Sequence, residues 1–140
     1  MPISVTAPRG VLTSSGRSAV LPRLSTALIA AAGATGNPFV ESIVGGTVRE
    51  IDAADVYAGG RNTPLILVEV TLPAGALTAS APREEFVRAA ALIVAECAGP
   101  QHDPANTWVS VKSADEGGWA IGPTAYTGER LGAAIAAAAS

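Results

Sequence analysis

The sequence runs through one order of elements twice, and this limits the chain more than any single motif does. Pro2-Ile-Ser-Val-Thr-Ala-Pro8 is a short β-rich run closed by proline. A helical pattern follows from about Ser14 to Ala32, with Val20, Leu21, Leu24, Leu28 and Ala31 at spacings of three and four. Gly33 and Gly36 act as stop signals, and Pro22 is expected to kink this helix or shift its start. β character returns from about Phe39 to Ile51, interrupted by Gly45-Gly46. Pro64-Leu-Ile-Leu-Val-Glu-Val-Thr-Leu72 then reads as the strongest strand. Ser80-Ala-Pro-Arg-Glu-Glu85 opens a second helix, with Ser80 as the expected N-cap, and Gly99-Pro100 ends it. Thr107-Trp-Val-Ser-Val-Lys112 closes the second unit. The two strand–helix–strand units span about 2–52 and 64–113, offset by about 60 residues, and a turn and tail occupy 114–140.

Two such units predict one α/β (α+β) domain over residues 1–140: a four-stranded mixed sheet with both helices on one face. The second-unit strand is apolar on both sides except at Glu69, so its far face needs a cover. No large element is left over, which points to other copies of the chain. The physics gives oligomerisation without giving a number.

Composition narrows the chemistry. Of the 140 residues 49% are hydrophobic, and the formal net charge of −3 is spread without a basic stripe, which argues against a nucleic-acid partner. No apolar run approaches the ~18 residues of a membrane span, and no signal-peptide pattern opens the sequence, so a cytoplasmic protein is expected. With one cysteine and one histidine, no disulfide framework, thiolate zinc site or histidine-rich metal site is expected, and no cofactor is implied. Cys97 falls on the apolar pattern of Phe86, Ala90 and Ile93 and reads as core. His102 reads as a solvated loop residue. The glycine pairs at 45–46, 59–60 and 117–118 read as turns or bulges, since no phosphate-binding fingerprint precedes a helix.

Several local patterns share an order with the tautomerase superfamily. Met1-Pro2-Ile3 before a strand resembles the start of its members, where methionine removal exposes a catalytic proline. Thr6-Ala7-Pro8-Arg9 and Ala58-Gly-Gly-Arg-Asn-Thr-Pro64 are similar to segments of its macrophage migration inhibitory factor branch. Leu12-Thr-Ser-Ser15 resembles its cis-chloroacrylate dehalogenases, and Asp115-Glu-Gly-Gly-Trp-Ala-Ile-Gly122 the closing turn of oxalocrotonate tautomerase and malonate semialdehyde decarboxylase. The resemblance covers about residues 1–125 and implies a homotrimer acting on a small-molecule substrate.

Proline suits that chemistry for a physical reason. An α-amino group titrates near ~8, below any lysine, and burial lowers it further by penalising the charged form. A neutral Pro2 nitrogen in an apolar pocket could serve as general base for keto–enol proton transfer. The plain reading is that Pro2 merely begins an edge strand; a retained Met1 would make its nitrogen a non-basic amide.

The resemblance also assigns the surroundings, with losses. Thr71-Leu-Pro-Ala-Gly-Ala76 lacks the arginine pair that dehalogenase and decarboxylase use to hold a carboxylate. Leu28 stands at the dehalogenase histidine position and Ser113 at its glutamate position, with Glu116 close by. Arg9 is either an anchor for a substrate carboxylate at the pocket mouth or a solvated loop residue. Asn37 is placed to donate hydrogen bonds to substrate, and Glu41 to assist proton transfer or orient the proline ammonium. Trp108 and Ser110 match residues that reach a neighbouring subunit's proline, and Trp119 would wall the pocket, with core packing as the competing role for both tryptophans. Gly128 to Ser140 is alanine-rich and helix-prone. The implied function is an isomerase acting on a small enolisable carbonyl compound such as a 2-oxo acid. The rivals are a trimeric scaffold without chemistry, and a decarboxylase or hydratase/dehalogenase-type lyase.

Overall fold

A computed structural model describes the chain from Met1 to Ser140. The duplicated order is present. Strand β1 (Pro2–Pro8) leads to helix α1 (Ser14–Ala31), a short helix α2 (Pro38–Ile43) and strand β2 (Gly45–Ile51). After a two-stranded hairpin of β3 (Tyr57–Ala58) and β4 (Arg61–Asn62), strand β5 (Ile66–Leu72), helix α3 (Ser80–Cys97) and strand β6 (Thr107–Ser113) repeat the pattern. A second hairpin, β7 (Trp119–Ile121) with β8 (Thr124–Tyr126), and helix α4 (Gly128–Ala139) end the chain.

The main sheet has the order β2-β1-β5-β6. Each unit's two strands run parallel, and the units join through the antiparallel β1–β5 pair, which aligns Val5 with Val68 and Ser4 with Glu69. Alternation sorts the faces. Ile3, Val5 and Ala7 of β1, with Ile66, Val68, Val70 and Leu72 of β5, are buried beneath α1 and α3. The helices contribute Val20, Leu24 and Leu28, and Phe86, Ala90, Ile93, Val94 and Cys97, while Leu21 and Ala31 of the first stripe are only partly buried against this core. The other face, with Ser4, Thr6, Glu69, Trp108, Ser110 and Lys112, is left open. It is more polar than β5 alone suggests, because its neighbours supply serine, threonine and lysine.

Four local expectations are corrected. Residues 39–43 are helical, not β: Asn37 caps α2 by accepting from the amides of Phe39 and Val40, and Pro38 fits the first turn. Gly45-Gly46 is no turn but the start of β2, where a Cβ on Gly46 would fall 1.7 Å from the Ile3 carbonyl oxygen. Helix α3 is preceded by Ala79 with no side-chain cap, and Ser80 is its first residue. His102 is only partly solvated: its Nε2 lies 2.8 Å from Thr107 Oγ1, its Nδ1 is enclosed without a partner, and burial lowers its pKa against the raising effect of Asp103. Pro22 is accommodated within the continuous α1.

The two units interlock at their helix ends. Thr13 caps α1 by accepting from Gly16 N at 2.9 Å, and its own amide donates to the Cys97 carbonyl at the end of α3. Gly99 N in turn donates to Val11 O at 2.8 Å. No helix is long and apolar enough to cross a membrane.

Candidate functional site around the N-terminus

The residue before β1 is enclosed, whereas Pro2, the first of the strand, is exposed. Met1 is only 2% exposed, and its side chain belongs to the core that includes Ile43, Leu77, Trp119 and Leu131. Its amine donates to the Ile43 carbonyl, and its own carbonyl accepts from Gly45 N at 3.3 Å. Burial lowers the amine's pKa from 8.0 to about 5, because the charged form is deprived of solvating water.

Met1 lies between two cavities of about 510 Å³ each. The first is bounded by the 32–37 turn, Val40, the 75–77 loop, and Leu131, Ile135 and Ala139 of α4. The second contains Pro2 and is bounded by residues 42–46 and by Gly118 to Ile121. None of the residues lining either cavity is charged. Trp119 is buried, stacks edge-on against Tyr126 at 5.5 Å and lines the cavity that contains Pro2.

The first cavity's walls are held by polar contacts outside it. Leu77 sits in the left-handed region at φ 45°, and its carbonyl accepts from Arg83 Nε at 2.6 Å, which fixes the 75–77 loop. Helix α4 is capped by Thr127, whose Oγ1 accepts from Arg130 N, and by Glu116, whose carboxylate accepts from Gly128 N at 2.8 Å. The alanine-rich tail thus packs onto α2 as a wall, a role its composition does not announce.

The residues singled out from the sequence are brought together only in part. Asn37 lines the first cavity, but its carbonyl oxygen caps α2 and its Nδ2 donates to Ile135 O at 3.0 Å. Its evident work is to join α2 to α4. Glu41 lies on α2 outside both cavities, exposed, and accepts from Gly36 N at 2.9 Å. Arg9 follows β1 at the end opposite Pro2, about 20 Å away for a strand of 7 residues, and its exposed side chain pairs with Asp52 at 3.2 Å. Trp108, half exposed, and Ser110 line a separate hollow on the open sheet face with Tyr57 and Leu67. Within one protomer neither Arg9 nor these two reach Pro2. Ser113 accepts from Arg83 Nη2 at 2.6 Å, and Leu28 is buried in α1. No group of three or more His, Cys, Asp or Glu side chains converges on a point that could hold a metal ion.

Sequence reasoning passed over the Gly45 amide, which is silent in a one-dimensional pattern, and the α4 wall. The tail's apolar spacing, Leu131 to Ile135 to Ala139, was the available signal for the latter.

No family model matches the sequence, and no curated protein matches it. Solved structures do. Fused 4-OT, solved as a symmetric trimer, superposes with a TM-score of 0.77 at 22% identity, covering 94% of this chain and 99% of that one. Pt0534, inactivated by 2-oxo-3-pentynoate, gives 0.75 at 17% identity over the same shares. A member of the cis-3-chloroacrylic acid dehalogenase family gives 0.73 at 18%, covering 90% and 83%, and the macrophage migration inhibitory factor of Toxoplasma gondii gives 0.66 at 15%, covering 90% and 100%. With its duplicated units, its sheet order and its helices on one face, the chain has the fold of the tautomerase superfamily.

Proposed function

We propose that the chain, once Met1 is excised, is a homotrimeric tautomerase in which the secondary amine of Pro2 is the general base. The observation that carries this reading is the enclosure of Met1 between two uncharged cavities. Excision would leave the Pro2 nitrogen at the edge of the second cavity, one residue from the place where burial lowers the pKa of the Met1 amine. A neutral amine there can take a proton from a carbon beside a carbonyl. The electron pair moves onto the carbonyl oxygen, and the ammonium returns the proton either to another carbon or to that oxygen, which gives the enol. The trimer is supported by the trimeric fused 4-OT and by the open sheet face with its free β2 and β6 edges. Assembly could bring a neighbour's Trp108 and Ser110, or its Arg9, towards Pro2.

The test compares chains of verified mass. Processed chain should ketonise an enol substrate, with the rate falling as pH drops through the amine's pKa. Chain retaining Met1 should be slower by the ~10²–10⁴-fold typical of a lost base, while remaining trimeric. Equal rates would refute Pro2 as base. A second reading, a trimeric scaffold, is favoured by one observation: Met1 fits the core with both its amine and its carbonyl hydrogen-bonded. Recovery of only Met1-bearing chain from the cell would support it.

A further inference from the structure

Met1 occupies the ground against Pro2 that a substrate would need, and its contacts describe that ground. Its carbonyl oxygen, attached to the carbon that Pro2 nitrogen also binds, takes the Gly45 N–H at 3.3 Å. Its amine donates to the Ile43 carbonyl, and its side chain fills an apolar hollow against the core. Excision therefore frees three features at once. These are a hydrogen-bond donor aimed at the space beside the Pro2 nitrogen, an acceptor at Ile43, and a hollow of about a methionine side chain joining the two cavities. All three are neutral, and no charged side chain lines the space around them. A carboxylate there would lose its water without gaining a cation, whereas a neutral carbonyl would find a donor for its oxygen.

We infer that the substrate is an uncharged enolisable carbonyl compound carrying an apolar group of about methionine's bulk, whose carbonyl oxygen takes the Gly45 N–H in place of Met1's. This deepens, and rests on, the role proposed for Pro2. The proton lost from carbon goes to the Pro2 nitrogen. The electron pair goes to the oxygen, where the Gly45 amide already points as negative charge grows. Leu131, Ile135 and Ala139 of α4 limit the size of the apolar group.

The structure offers a clean perturbation of that donor. A Cβ on Gly45 would meet nothing within 4 Å. Val44 before it is extended, at φ −102° and ψ 119°, as a following proline requires. Gly45→Pro thus removes the N–H at the first position of β2, where proline is tolerated.

The experiment pairs an arylpyruvate with its methyl ester. Calorimetry on processed, mass-verified protein measures the binding of each, and ketonisation assays follow the matching enols. The ester should bind and turn over at least tenfold better than the acid. Gly45→Pro should weaken ester binding about tenfold, and chain retaining Met1 should bind neither compound. Acid bound as well as ester would overturn the inference, since a cation from a neighbouring protomer would then have to reach the site. Ester bound equally well by Met1-bearing chain would also overturn it. If Gly45→Pro fails to fold, the acid–ester comparison decides alone. Ester-selective binding with no turnover would support this assignment of the pocket while refuting Pro2 as base.

Discussion

Asn37 and Ile135, far apart in sequence, are joined by a 3.0 Å hydrogen bond from the Asn37 side-chain amide to the Ile135 carbonyl. The same side chain accepts from two amides at the start of α2. Two variants separate these functions. Asn37→Asp keeps the cap but has no hydrogen to give Ile135, so overall stability should change little while amide exchange in α4 accelerates, by about 1 kcal/mol of local opening. Asn37→Ala should lose the cap as well, costing about 1 kcal/mol more in urea unfolding. Unaltered exchange in α4 for both would mean that its apolar contacts alone hold it.

The Met1 amine gives the unprocessed chain a pH dependence of defined sign. In the fold its pKa is lowered from 8.0 to about 5, so between these values the unfolded chain binds a proton that the folded chain does not. Stability should therefore be flat above pH 8, fall as pH drops from 8 towards 5, and gain no further loss from this group below 5. Melting temperatures of Met1-bearing chain across this range should show the decline. A melting temperature that stayed constant from pH 8 to 5 would place the amine in water.

Neighbouring glycines should respond in opposite ways. A Cβ on Gly46 would lie 1.7 Å from the backbone oxygen of Ile3, and backbone cannot swing aside as a side chain can. Gly46→Ala should cost on the order of 1–3 kcal/mol, in the range of overpacked core substitutions. Gly45→Ala, whose Cβ meets nothing within 4 Å, should unfold at nearly the wild-type urea concentration. Similar midpoints for the two would mean that β2 shifts away from β1 without penalty.

Arg9 tests whether the site crosses protomers. Its ion pair with Asp52 is exposed on both sides, so Arg9→Ala should change stability by under about 1 kcal/mol. With an uncharged enol substrate KM should not move. A tenfold rise with a 2-oxo acid would reveal that a neighbour's arginine reaches the pocket and holds a carboxylate there.

The main elements were legible in the sequence because their burial is periodic. Val20, Leu24 and Leu28 mark one stripe, Phe86, Ala90, Ile93 and Cys97 another, and both are core. Helix α2 was misread because Phe39, Val40 and Ile43 look β-like in a short window, although Asn37-Pro38 carried the capping signal. The Gly45-Gly46 pair misled for a different reason: its meaning lies in the approach of β1, which no local pattern encodes. His102 looked solvated because Thr107, which binds its ring, belongs to the next strand. For the site, type and order pointed to Pro2 and Trp119, which share a cavity. Distance along β1 separated Arg9 from them, and the uncharged lining emerged only when the loops at 32–37 and 75–77 met α4.

The β1–β5 pairing has a consequence for stoichiometry. About this antiparallel pair the two units are related by an approximate twofold turn, so each has a strand opening at a comparable place, one with Pro2 and the other after Pro64. Only the first could present a free backbone amine, on excision of Met1, because every backbone nitrogen of the second unit lies in a peptide bond. On the role proposed for Pro2, the chain would then carry one basic proline per pair of units. An electrophile that captures proline amines should saturate at a single adduct per chain. The hollow beside Pro64, about 230 Å³ and bordered by His102, thus has a peptide nitrogen where the first unit would have an amine.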